Sequence, residues 1–267
     1  MLGDLLPADL VPFAGIPAWG IALVFASHFL GCFIRGTFGF GSNMAIVLMT
    51  TWVLGPHHAI VLALLSTLAA QGHLFPQGLK TADWPVAKPL IVGLITGIAL
   101  GTWVFAVLAT EWLTLVLGLL VITVIAMDHL KLLERLARIT DIRSKPVTST
   151  LALIAGVVGA VAGGGAFYFL VIYLKMACST PAGLRGTNLV LSACSMVARV
   201  TFIAIAGFFT APILVEGALL VPVVYLGTWA GTRYFHSSSA DRFFLGLQVL
   251  LLSAATGLVT KGIFKVL

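Results

Sequence analysis

The sequence predicts an all-α, polytopic integral membrane protein. Of its 267 residues, 60% are hydrophobic and 9% are charged, whereas an ordinary soluble domain carries about 25% charged residues. A soluble fold of this length must cover its surface with polar groups, so the surface of this chain is expected to face lipid. The apolar residues form ten segments separated by polar or Gly-rich stretches. This pattern predicts about 8–10 membrane segments, some of them short helices broken at glycine.

The ten segments are predicted to be helical, because backbone N–H and C=O groups cannot remain unpaired in lipid. The first five are Trp19–Ile34, Ser42–Leu54, Ala59–Leu74, Pro89–Ala109 and Trp112–Met127. The other five are Thr148–Ala162, Ala166–Cys178, Leu184–Phe208, Pro212–Gly231 and Phe243–Val259. The first two segments of each group are too short to cross a bilayer alone.

Two Gly-rich stretches, Arg35–Asn43 and Gly159–Gly165, interrupt these short segments. Non-helical backbone at membrane depth must be buried in protein or line a watery cavity. The short segments are therefore predicted to form half-membrane hairpins that break at the glycines.

The two halves of the chain repeat. The tetrapeptide Leu100–Trp103 recurs unchanged as Leu226–Trp229. Three further matches keep a constant spacing, pairing Gly31 with Gly156, Gly39 with Gly164, and Pro56 with Pro181. Because each half holds five segments, an odd number, the halves are predicted to be inverted repeats. In transporters built this way the substrate site lies near mid-membrane, where the repeats meet.

The polar stretches divide the chain into four parts. They are a lead-in at residues 1–17, a first repeat at 18–127, a basic linker at 128–147 and a second repeat at 148–267. Lys and Arg mark cytoplasmic loops. The linker is therefore expected in the cytoplasm, both termini outside, and the protein in the cell inner (plasma) membrane as a multi-pass protein.

Composition also bears on partners and cofactors. The net charge of +6 comes from basic residues scattered among loops, so nucleic-acid binding is not expected. Cys32, Cys178 and Cys194 form no CxxC motif and lie within or at the edge of apolar segments, so they are interpreted as core residues. No cofactor and no metal site is expected. The expected partners are a small anion and membrane lipid, and a homodimer is compatible with the chain.

An oxyanion site is predicted between the two glycine breaks. A helix N-terminus carries free N–H groups and about half a positive charge, so it attracts anions. Helices are expected to begin after both breaks, and glycine admits a ligand close to the backbone. The predicted substrate-binding residues are Arg35, Gly39, Phe40, Gly41, Ser42, Asn43, Gly163, Gly164, Gly165 and Asn188. The alternative is that the glycines only allow close helix packing.

Two arginines fall within or beside apolar segments. Arg35 lies in the first break, where a buried guanidinium is costly and needs a counter-charge that a bound anion would supply. Alternatively, its side chain snorkels to the surface. Arg199 is nearer the end of its segment and is expected to snorkel. Asn188 lines the site or bonds across helices.

This arrangement resembles the TauE/SafE family of sulfite exporters and sulfonate permeases. Gly31–Ala59 and Gly156–Leu184 each hold an apolar helix, a Gly-rich break, a short helix and then Gly-Pro or Thr-Pro. The run Gly163–Gly165 fits the family's glycines, while Gly39–Gly41 departs from them by its central Phe. The proline usual a few residues into the short helix is absent from both copies. The resemblance covers nearly the whole chain and implies transport of small sulfur oxyanions or organosulfonates, often outward.

The predicted function is therefore that of a secondary transporter, an exporter of sulfite or organosulfonates, and not an enzyme. Three alternatives remain: a transporter or channel for another small anion such as a carboxylate, a non-transporting membrane subunit, and an intramembrane enzyme. A cation site would need carboxylates within the membrane, and Glu216 is the main example in the apolar segments. The sequence holds no GxxxxGK[ST] motif, so a gradient or a partner would supply the energy.

Overall fold

The structure, a computed structural model, describes residues 11–38, 42–130, 135, 144–163, 167–235, 252 and 254–263. In the first half, its helices are α1 (Ala18–Phe38), α2 (Ser42–Leu54), α3 (Pro56–Thr81), α4 (Trp84–Val107) and α5 (Thr110–His129). In the second half they are α6 (Lys145–Val161), α7 (Phe167–Ala177), α8 (Pro181–Ile205), α9 (Ala211–Phe235) and α10 (254–263). The prediction of an all-α fold is confirmed.

Four of the described helices, α1, α4, α8 and α9, are long and apolar enough to cross a membrane. The shorter apolar helices are Ser42–Leu54, Pro56–Leu68, Thr110–Thr123 and Pro146–Val161. Large apolar side chains such as Val92 and Trp103 lie exposed on the outside of α4, as a lipid-facing surface requires. These features confirm the prediction of a polytopic membrane protein.

The prediction that the first segment is too short to span alone is wrong. Helix α1 continues past Ile34 to Phe38 and contributes a 20-residue span. Gly36 does not interrupt the helix; it lets α1 approach α9 closely, since a Cβ there would overlap the carbonyl oxygen of Thr228. Arg35 accordingly lies in the last helical turn and not in a break. The second break is shorter than predicted, because α6 is helical as far as Val161.

Each half places its first helix against the fourth helix of the other half, so that α1 packs on α9 and α6 packs on α4. Gly227 of α9 meets Phe29 of α1, and one turn further Gly231 meets Phe33. Residue numbers rise together along this contact, so the two helices run parallel. The pair of α4 and α6 is parallel by the same criterion, because Gly93 meets the backbone of Ser149 and Gly101 that of Val157.

The third helices of the two halves, α3 and α8, pack against each other at the centre. Gly78 of α3 approaches Leu189 of α8, while Thr81 approaches Gly186. Residue numbers fall on α8 as they rise on α3, so these two equivalent helices are antiparallel.

Glycines set the distance between α4 and α6. A Cβ at Gly97 would overlap the carbonyl oxygen of Leu153 and lie 3.0 Å from the Cα of Gly156. Small residues at such a contact let two backbones pack closely, which is a main source of helix association in a membrane. This pair holds the first helix of the second half in place.

We expect Gly97→Val to destabilise the protein, because the added carbons must separate α4 from α6. Overpacking of this kind costs about 1–3 kcal/mol or more. Thermal unfolding in detergent measures the effect. The matched control is Ala106→Val, an exposed position on the same helix, which should unfold near the wild-type temperature. Equal melting temperatures for the two variants would contradict the close contact.

Candidate functional site

The first break separates α1, which ends at Phe38, from α2, which begins at Ser42. The predicted helix start at Ser42 is confirmed. Gly39, Phe40 and Gly41 lie outside the described residues, so their predicted role in the site stays a prediction.

Ser42 and Asn43 form the first turn of α2. Ser42 is buried, and its hydroxyl donates to the side-chain carbonyl of Asn43 over 3.0 Å. The two side chains are thus engaged with each other. The first N–H groups of α2 have no partner within their own helix, and the helix dipole makes this end of α2 attractive to an anion.

Arg35 is buried one turn before the end of α1, with 6% of its surface exposed. It therefore does not snorkel. Its Nε has no hydrogen-bond partner among the described residues, and no ion pair joins it to a described carboxylate. The carbonyl end of α1 partly stabilises a cation in the last turn, but no described side chain supplies a full counter-charge to the guanidinium.

The second break begins beside α2. Gly163 has φ +71°, a left-handed conformation that favours glycine, and a Cβ there would lie 2.7 Å from Cγ2 of Val47 in α2. The start of the second break thus contacts the helix that follows the first break. Gly164 and Gly165 lie outside the described residues. The hairpin of the second half is closed by Thr148 of α6 and Tyr173 of α7, whose hydroxyls are 2.9 Å apart.

Asn188 is buried on α8, and its side-chain carbonyl has no hydrogen-bond partner in the described part of the chain. Its neighbours tie α8 to α3 and to the link before α4. The hydroxyl of Thr187 accepts from the N–H of Asp83 over 2.9 Å, and the amide of Gln71 donates to the carbonyl of Leu189 over 3.0 Å. No contact recorded between described residues joins Asn188 to Arg35 or Gly163, so its membership of their site stays a prediction.

The prediction that Arg199 snorkels to the surface is wrong. It does not snorkel, because only 2% of its surface is exposed. Its Nε and Nη2 have no hydrogen-bond partner among the described residues. The signal that identifies this position in the sequence is helical spacing, since Arg199 follows Asn188 by three turns.

Glu216 carries a carboxylate that is buried in the membrane part of the chain, with 1% of its surface exposed. One oxygen accepts from the backbone N–H of Phe13 over 2.7 Å, and the other pairs with Nε2 of His58 at 2.5 Å. Both oxygens are therefore engaged, and this carboxylate balances neither arginine. The described residues contain no group of three or more His, Cys, Asp or Glu side chains that could hold a metal.

Comparison with protein families identifies the family of this chain. The family model described as "Sulfite exporter TauE/SafE" matches residues 23–258, a stretch that includes both breaks and extends from α1 into α10. No curated protein matches the chain, and no solved structure matches it.

We expect Glu216→Ala to destabilise the protein, since it leaves the buried N–H of Phe13 without an acceptor and His58 without its partner. An unsatisfied buried donor costs about 1–3 kcal/mol. Thermal unfolding in detergent should show a lower melting temperature than for Glu111→Ala, the control, whose carboxylate is half-buried on α5. Glu216→Ala should still bind anions, and loss of anion binding in this variant alone would contradict its structural role.

Proposed function

This chain belongs to the sulfite exporter TauE/SafE family and is a multi-pass membrane protein, and we propose that it is a secondary transporter that exports sulfite or small organosulfonates. The observation that carries the proposal is the guanidinium of Arg35, which is buried next to the first break and has no carboxylate partner among the described residues. An uncompensated charge inside a membrane protein is costly. A bound oxyanion would compensate it.

The proposed site combines three kinds of donor. The planar fork of Arg35 matches two oxygens of a sulfur oxyanion. The first N–H groups of α2, at Ser42 and Asn43, add the positive end of a helix dipole. The backbone of Gly39–Gly41 and Gly163–Gly165 is proposed to complete the site, and Asn188 to line it.

The proposed site lies near mid-membrane between two inverted repeats. Three contacts support this arrangement: α1 on α9, α6 on α4, and antiparallel α3 on α8. An inverted duplication relates the first two contacts to each other and makes α3 and α8 equivalent and antiparallel. Alternating access would then arise from motion of one repeat against the other. We further propose that both termini are external, that the protein resides in the inner membrane, and that an ion gradient drives export.

A small carboxylate is the second candidate substrate, because a guanidinium also binds carboxylates through two hydrogen bonds. A cation is disfavoured, since both oxygens of the buried Glu216 are already engaged. Competition between sulfite and acetate at the purified protein separates the two anion classes. Sulfite should displace acetate, and the reverse order of affinity would assign the protein to carboxylates.

We expect Arg35→Ala to weaken sulfite binding by about tenfold to a hundredfold, since a hydrogen bond to a charged group contributes about 1.5–3 kcal/mol. Arg35→Lys should restore only part of the affinity, because it keeps the charge but loses the fork. Ligand-induced thermal shift of the purified protein measures both. The control is Arg233→Ala, whose exposed guanidinium lies over Trp229 and which should bind as the wild type does. Unchanged affinity in Arg35→Ala would remove Arg35 from the site.

A further inference from the structure

Helix α8 carries a polar stripe that consists of Asn188, Ser192, Ser195 and Arg199. Their spacing puts all four on one face of the helix. Asn188, Ser195 and Arg199 are buried and Ser192 is half-buried, so this face points into the protein. The stripe extends over eleven residues, or about 16 Å of helix, which is half the thickness of a bilayer core of about 30 Å.

Both ends of the stripe hold polar atoms that have no partner in the described part of the chain. At one end, the side-chain carbonyl of Asn188 is buried and accepts no hydrogen bond from a described residue. At the other end, Nε and Nη2 of Arg199 are buried, and no hydrogen bond or ion pair to these atoms is recorded within the described ranges. Native proteins satisfy most buried polar groups, so unpaired groups at both ends of one stripe indicate a missing ligand.

Apolar side chains flank Arg199 on its own face of α8. Met196 and Ile203 belong to a buried cluster that includes Ile60 and Leu64 of α3 and Phe105 of α4. A positive charge in this position is costly unless an anion accompanies it.

The carboxylates whose side chains the structure describes do not balance Arg199. Asp83 adjoins Thr187, twelve residues before Arg199, which is about 18 Å along the helix. Glu216 is paired with His58 and Phe13, and Glu111 forms no recorded ion pair within the described ranges. The counter-charge must therefore come from outside these side chains.

We propose that Arg199 is a second anion-binding residue, which holds a small sulfur oxyanion on the translocation path along the polar stripe of α8. This inference rests on the proposed function, because the stripe would be the wall along which the transported anion moves. The fork of Arg199 binds two oxygens of the anion, as the fork of Arg35 does at the first break. After the anion leaves Arg35, a second guanidinium provides another counter-charge inside the membrane. This lowers the free-energy barrier for movement of the anion between the central site and water.

The experiment compares Arg199→Met with Arg185→Met in the full-length protein purified in detergent. Arg185 is exposed on the same helix and serves as the matched control. Sulfite is the probe, and affinity is measured by isothermal titration alongside the melting temperature without anion. Arg199→Gln, which keeps a polar side chain, repeats the test if the Met variant is not recovered.

Arg199→Met should weaken sulfite binding or lower the rate of sulfite flux into liposomes by about tenfold or more, while Arg185→Met changes neither. Without anion, Arg199→Met should be at least as stable as the wild type, because it removes an unpaired buried charge. Sulfite should raise the melting temperature of the variant less than that of the wild type.

Three results distinguish failure of this inference from failure of the proposed function. If the wild type binds sulfite and Arg199→Met matches it within about twofold in affinity and flux, Arg199 is not a subsite and the proposed function stands. A melting temperature well below that of the wild type without anion would assign Arg199 a structural role instead. If the wild type binds acetate but not sulfite, and this binding depends on Arg199, the substrate class is wrong and the subsite stands.

Discussion

The main physical constraint on this structure is the free-energy cost of burying an unpaired positive charge in an apolar protein. Among the described residues, two guanidiniums are buried, those of Arg35 and Arg199. Nε of Arg35, and Nε and Nη2 of Arg199, have no hydrogen-bond partner there. The buried carboxylate that could have balanced one of them, Glu216, is paired with His58 and with the N-terminal segment at Phe13. Burying such an arginine without a counter-charge costs several kcal/mol of free energy. An anionic ligand is the simplest compensation.

Close packing through glycine holds the helices of the bundle together. On α1, Gly36 lies directly after Arg35 and allows the backbone to touch α9. The contact fixes the last turn of α1, and with it the position of the guanidinium. On the other side, Gly97 and Gly156 bring α4 against α6, so that the second break starts beside α2. The first helix of each half therefore packs against the fourth helix of the other half.

Composition was sufficient to predict the class of fold, because an apolar chain can satisfy its backbone in lipid only by forming helices. Helix boundaries were harder to predict. Gly36 was interpreted as a helix breaker, whereas it is a contact point on a continuous helix, and only the neighbouring α9 distinguishes the two roles. Arg199 was placed at the surface because it lies near the end of a segment. The packing of α3 and α4 around α8, which buries it, is a long-range property that local sequence does not encode.

For the candidate site, the sequence indicates Arg35 and Ser42, since a charge and a helix start beside a glycine run stand out in an apolar sequence. Their role in binding stays a prediction. The pairing of Glu216 with His58 and Phe13 could not be predicted, because these residues are far apart in the chain and no motif connects them. The polar residues of the stripe on α8 recur at helical spacing in the sequence, but only the structure shows that they are buried.

The most direct test of the account is the flux of radiolabelled sulfite in liposomes that contain the purified protein, measured at a pH at which sulfite is ionised and with a sulfite gradient imposed. The account predicts a saturable flux that exceeds the flux in protein-free liposomes and that unlabelled sulfite inhibits. A flux equal to that of protein-free liposomes, from protein shown to be folded and inserted, would contradict the claim that this chain moves sulfur oxyanions across the membrane.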